Sequence, residues 1–148
     1  MRFLTGKIQR LGIEWNRRSL DEGDFYAICE RHSVELIESP MRVSGFYFRA
    51  GGRDFIAMDT SLHGLPRLAV MFHELAHFLF HVPETGAAAR FHGVGRSTRT
   101  EIEADIFALC ALIPKVWIET RRPEDLIDEG FSLEMVTSRQ KIHDRYGI

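Results

Sequence analysis

The chain has 148 residues, 45% of them hydrophobic and 27% charged, with a formal net charge of −2. These are the proportions of an ordinary folded domain, and they exclude a disordered, collagen-like or small disulfide-scaffold chain. The near-neutral balance carries no footprint for direct nucleic-acid binding or for a polybasic membrane anchor, and one domain spanning residues 1–148 is the expectation at this length.

Residues 1–7 lack the apolar core of a secretory signal. The longest apolar stretch, about a dozen residues interrupted by His and Glu, is too short and too polar to cross a bilayer. A cytoplasmic chain with reduced thiols is therefore expected, with Cys29 and Cys110 as small buried hydrophobes. Residues 19–32 predict a helix: Ser19 and Glu22 have the form of a capping box, and Leu20, Phe25, Ile28 and Cys29 form an apolar face. Val34-Glu35-Leu36-Ile37 reads as a short strand closed by Ser39-Pro40. Residues 43–49 alternate, Gly51-Gly52 marks a tight turn and 54–59 return, which is a β-hairpin pattern. Residues 60–66 form a loop into a strongly apolar helix over 67–82. Residues 83–100, rich in Gly, Ala and Arg, have no period and read as a long loop of the kind that often serves as a lid or binding loop. A second buried helix follows over 100–113, with Thr100 at its N-cap, Glu103 at the capping-box position and Pro114 as its stop. Residues 115–148 read as one or two amphipathic helices, the last starting at Ser132. The fold class is α+β: a small antiparallel or mixed sheet packed on the two buried helices.

Between Leu68 and Phe80 every residue is apolar except His73, Glu74 and His77. His73-Glu74-Leu75-Ala76-His77 matches the metalloprotease pattern H-E-x-x-H. Residues four apart on a helix lie about 40° apart around it and roughly 6 Å along it, so both imidazoles reach one ion. Zinc accepts neutral imidazole nitrogens at about 2.0–2.1 Å, and its catalytic sites use three protein ligands. Glu74, offset by about 100°, cannot join the same arrangement but can act as a general base on a water held there. A chance match in a chain of this composition has odds of roughly 3 in 100. Three polar groups inside a helix that is apolar almost all round are nevertheless costly unless something satisfies them together, and a metal ion does so.

The third ligand is sought elsewhere. His81 stands about 12 Å along the axis from His73, too far to share an ion, and suits a supporting place at the helix end. A metzincin would need Gly at 80 and His at 83, where this chain has Phe80 and Pro83. The second buried helix opens with Glu101, Glu103 and Asp105. Glu101 and Asp105 share a face, so a glutamate from this helix can complete the site while Asp105 accepts a hydrogen bond from a ligand histidine. Acids at a helix N-terminus also favour its dipole, which accounts for one of the three but leaves the metal short of a ligand if applied to all.

These segments resemble the ImmA/IrrE family of metallopeptidases: His73 through His81, then Glu101-Ile102-Glu103-Ala104-Asp105-Ile106-Phe107-Ala108, then Leu112-Ile113-Pro114. Phe55-Ile56-Ala57-Met58-Asp59 resembles the strand before that family's zinc helix, and the likeness spans about residues 34–114. Ala76 stands where Gly is frequent, and residues 83–100 match no family pattern. The resemblance implies a small gluzincin-like fold with zinc held by His73, His77 and a glutamate. The gluzincin glutamate with an Asp four residues on selects Glu101, with Asp105 behind it, over Glu103. It further implies cleavage of a cytoplasmic regulatory protein, such as a helix-turn-helix DNA-binding repressor.

The expected function is thus a zinc-dependent endopeptidase with Glu74 as base and a protein substrate, with no membrane and no direct nucleic-acid partner. An extended substrate can pair with the exposed edge of the sheet. The rivals are a zinc-containing regulatory module that acts by partner binding without proteolysis, and a non-peptidase metal hydrolase. An intact Glu74 speaks against the first, because a structural metal needs no base. His63, His92 and Arg96 are open candidates for the oxyanion donor. Arg90, Arg96 and Arg99 suit either an acidic substrate or simple solvation. Neither His32 and His143 nor the oligomeric state acquires a reading.

Overall fold

The computed structural model describes residues 1–81 and 98–148. The order among them is α1 (Arg2–Arg10), α2 (Glu22–His32), β1 (Val34–Ser39), β2 (Gly45–Ala50), β3 (Arg53–Asp59), α3 (Gly64–His81), α4 (Arg99–Leu112), α5 (Lys115–Thr120), α6 (Pro123–Asp128) and α7 (Leu133–Tyr146). The expected α+β class holds.

Helix α1 is absent from the sequence reading. It buries only Leu4 and Ile8, one turn apart, which is too short a stripe to stand out as periodicity. Helix α2 is capped by Asp21 rather than Ser19. The Asp21 carboxylate accepts from the Asp24 N–H at 2.8 Å, and Asp24 accepts from the Asp21 N–H at 2.8 Å. The Ser19 hydroxyl instead donates to the Leu112 carbonyl at 2.7 Å, tying this entry to the end of α4. Phe25, Ile28 and Cys29 are buried as the apolar face required.

The sheet is mixed, in the order β1-β3-β2. Strands β2 and β3 form the expected hairpin, antiparallel from Gly45↔Met58 to Ala50↔Arg53, and β1 pairs parallel with β3 from Val34↔Asp54 to Ser39↔Asp59. The central strand accordingly carries the most buried side chains, Ile56 and Met58. Arg67 of α3 ties three elements together through Glu22 of α2 at 2.6 Å and Glu38 of β1 at 2.5 Å.

Helix α3 starts three residues earlier than expected and takes Pro66 into its first turn, where a missing N–H costs nothing. Helix α4 is capped by Thr98, not Thr100: the Thr98 hydroxyl accepts from the Glu101 N–H at 3.3 Å. Arg99 and Thr100, expected at the end of the long loop, belong to this helix; the rest of that loop, with Arg90, His92 and Arg96, lies outside the described residues. The two helices pack side by side around Phe107. Its ring meets Phe72 at 6.3 Å, Phe80 at 5.3 Å and Trp15 at 6.1 Å, and its carbonyl accepts from the Trp15 indole at 2.9 Å.

Three helices, not one or two, follow α4, because Arg121 and Arg122 are extended ahead of Pro123. Ser132 caps α7 as expected, accepting from the Met135 N–H at 3.1 Å. Arg139 anchors α7, donating from inside the core to the Ile113 carbonyl at 2.7 Å and the Asn16 side chain at 2.9 Å. No helix among the described residues is long and apolar enough to cross a membrane.

Candidate metal centre

The i, i+4 spacing on α3 turns His73 and His77 to one side, and α4 lies against that side with Glu101 in its first turn. The two imidazole Nε2 atoms stand 3.1 Å apart. The Glu101 carboxylate faces both, with Oε2 3.3 Å from His73 Nε2 and Oε1 3.2 Å from His77 Nε2. Ligands about 2.0–2.1 Å from a tetrahedral ion stand about 3.3 Å from one another, 1.63 times the bond length. The three separations are of this size, the two to Glu101 being made by its two different oxygens, and one ligand atom from each residue lies within 4.8 Å of the other two. These three residues form the metal-competent group found among the described residues.

The surroundings also suit a cation. Burial alone would lower the His73 pKa, but the hydrogen bond to Asp105 and the charges of Glu74, Asp105 and Glu101 outweigh it and hold the pKa above its ordinary value. Positive charge is thus favoured at this point before any ion is considered. Asp105 Oδ1 lies 2.8 Å from His73 Nδ1, so an Nδ1–H donated to that carboxylate leaves Nε2 as the lone-pair nitrogen facing Glu101.

Glu74 is only 2% exposed yet borders a cavity of about 880 Å³ beside His73. Ser44 and Gly45 at the start of β2 form one wall of this cavity, Ile102 and Ile106 of α4 a second, and Lys141 and Arg145 of α7 part of the rim. Glu74, His73 and Asp105 all line this cavity.

Of the residues singled out in the sequence, the structure brings His73, Glu74, His77, Glu101 and Asp105 together. Glu103 takes a different place: Oε2 meets His81 Nε2 at 3.0 Å, and Oε1 accepts from Arg99 Nε at 2.8 Å. Burial would raise its pKa, but these two bonds outweigh it and keep the group below the ordinary carboxylate range. Arg99 is therefore engaged within the molecule. His63 is exposed one residue before α3, about 15 Å along the axis from His73, and is not brought to the centre. His32 packs edge-on against Phe78, and His143 contacts the Ile148 carbonyl at 3.1 Å.

The sequence reading missed the contact between His77 Nδ1 and His81 Nδ1, at 3.1 Å. Its signal was present in the i, i+4 spacing of the two histidines, matched by the i, i+4 pair Arg99 and Glu103 on the facing helix.

Searches of curated proteins and of solved structures return no match. A family model does match: the IrrE N-terminal-like domain, Peptidase M78, over residues 29–145. The match runs from the end of α2 through α7 and takes in the sheet, both site helices and the cavity rim. A peptidase family, a His-His-Glu group and a cavity beside it agree, and the chain belongs to the IrrE N-terminal-like domain family of peptidases.

Proposed function

We propose that the protein is a zinc-dependent endopeptidase of the gluzincin type, with His73, His77 and Glu101 as ligands and Glu74 as general base. The observation that carries the proposal is the convergence of His73, His77 and Glu101, whose ligand-type atoms all lie within 4.8 Å of one another. The softness of the donor set agrees: two imidazoles and one carboxylate suit zinc better than the all-oxygen shells of calcium or magnesium. Zinc bound there would supply a Lewis acid that polarises the scissile carbonyl and makes a nearby water more acidic. Glu74, bordering the cavity beside His73, takes the proton from the attacking water and passes it to the leaving amine. Asp105 orients His73 through Nδ1.

The substrate is a cytoplasmic regulatory protein, for which a DNA-binding repressor is the reading implied by the family resemblance. Two features support an extended segment in the cleft. Strand β2 is an edge strand of the described sheet, and its first residues form a cavity wall, so a peptide can add to it as a further antiparallel strand. Lys141 and Arg145 at the rim favour acidic side chains on that peptide.

Glu74→Gln tests the proposal. The variant should retain stoichiometric zinc by elemental analysis, because Glu74 is not a ligand. It should lose about 10²–10⁴-fold in cleavage of a co-expressed partner protein, the usual contribution of a general base. Cleavage that survived the substitution would sink the mechanism, and a purified parent chain devoid of zinc would sink the metal assignment.

A further inference from the structure

His77 is buried, and water cannot easily supply a partner for its Nδ1. Ligand histidines normally donate their second nitrogen to a carboxylate, a backbone carbonyl or a water. His73 follows this rule directly through Asp105. His77 meets another histidine instead, with His81 Nδ1 3.1 Å from its Nδ1. His81 in turn meets Glu103 Oε2 at 3.0 Å, and Glu103 Oε1 accepts from Arg99 Nε at 2.8 Å. The chain runs from the metal-facing ring to the surface: side-chain exposure is 5% at His77, 5% at His81, 18% at Glu103 and 80% at Arg99.

With both rings neutral, one arrangement of hydrogens satisfies the two links from Glu103 through His81 to His77. A carboxylate accepts only, so His81 carries its hydrogen on Nε2 and donates to Glu103. Its Nδ1 is then an acceptor, and His77 must carry its hydrogen on Nδ1. That leaves a lone pair on His77 Nε2, the atom facing His73 and Glu101 at 3.1 and 3.2 Å. We propose that His81 and Glu103, backed by Arg99, are positioning residues that hold His77 in the Nδ1–H tautomer and so prepare its Nε2 as a ligand. The proposal rests on the reading of His77 as a metal ligand. It also explains why neither His81 nor Glu103 is needed on the ion: His81 Nδ1 and Nε2 and both Glu103 oxygens already serve this chain.

The test uses the full chain and zinc alone. Zinc affinity is measured by chelator competition for the parent, His81→Phe, His81→Asn and Glu103→Ala. His81→Phe removes the acceptor and should weaken zinc about 10–100-fold, the usual range for a group behind a metal ligand. His81→Asn sets a carbonyl oxygen near the position of Nδ1 and should recover most of that loss. Glu103→Ala, a change near the surface, should weaken zinc in the same direction and guards against a folding defect in the Phe variant. Independently of metal, ¹⁵N NMR of the zinc-free parent should show His77 with its hydrogen on Nδ1, and His81→Phe should lose that preference. Equal zinc affinity in the parent and His81→Phe, or a His77 tautomer indifferent to residue 81, overturns the proposal. A parent chain that takes up no zinc at all is a different result and overturns the metal reading itself.

Discussion

The choice between Glu101 and Glu103 as third ligand turns into a measurable difference in zinc affinity. Apparent binding energies for structural zinc sites of four ligands are about 10–16 kcal/mol, or about 2.5–4 kcal/mol per ligand. One oxygen of the Glu101 carboxylate lies 3.3 Å from His73 Nε2 and the other 3.2 Å from His77 Nε2, which puts Glu101 in one metal-competent group with both imidazoles. Glu101→Gln replaces an anionic ligand by a neutral amide and should weaken zinc by about 10²–10³-fold, since each 1.4 kcal/mol is tenfold. Glu103→Gln keeps a carbonyl oxygen for His81 and should cost less than about tenfold. Chelator competition on the two variants, with the melting temperature of each zinc-free form as a control, reads the difference. A larger loss for Glu103→Gln than for Glu101→Gln would refute the assignment.

Three further outcomes follow from the packing and electrostatics. Phe107→Ala empties a fully buried site touched by three aromatic rings and should destabilise the chain by about 3–5 kcal/mol in urea unfolding; a loss below about 1 kcal/mol would mean the site is not packed as described. Gly45→Ala would set a Cβ 2.9 Å from the Ala57 carbonyl oxygen and 3.0 Å from Val70 Cγ1, so a cost of about 1–3 kcal/mol is expected in the same assay, and an unchanged midpoint would contradict it. The hydrogen bond from Arg18 holds the Asp24 pKa at about 2, below its unfolded value, so its contribution is present at neutral pH and is lost as pH falls through about 2. After allowance for solvent screening this is about 1 kcal/mol, and the stability gap between the parent and Asp24→Asn should close in acid; a gap constant with pH would count against the pair.

What the sequence determined by itself was the local chemistry. The i, i+4 histidines within an apolar helix follow from the helical repeat, and so does the hairpin from its alternation and Gly51-Gly52 turn. Both are encoded by neighbours in the chain. The caps were harder to read because several Ser, Thr and Asp residues compete within one turn. The winner depends on what else each can bond: Ser19 is drawn to Leu112, which leaves Asp21 to cap α2. The parallel pairing of β1 with β3, the three-helix ending and the part played by His81 were decided only in three dimensions. For His81, the helical repeat places it on the same side of α3 as His77 but is silent about α4. Packing of α4 against α3 brings Glu103 to one histidine and Glu101 to two others, and that placement separates two glutamates that stand only two residues apart in the sequence.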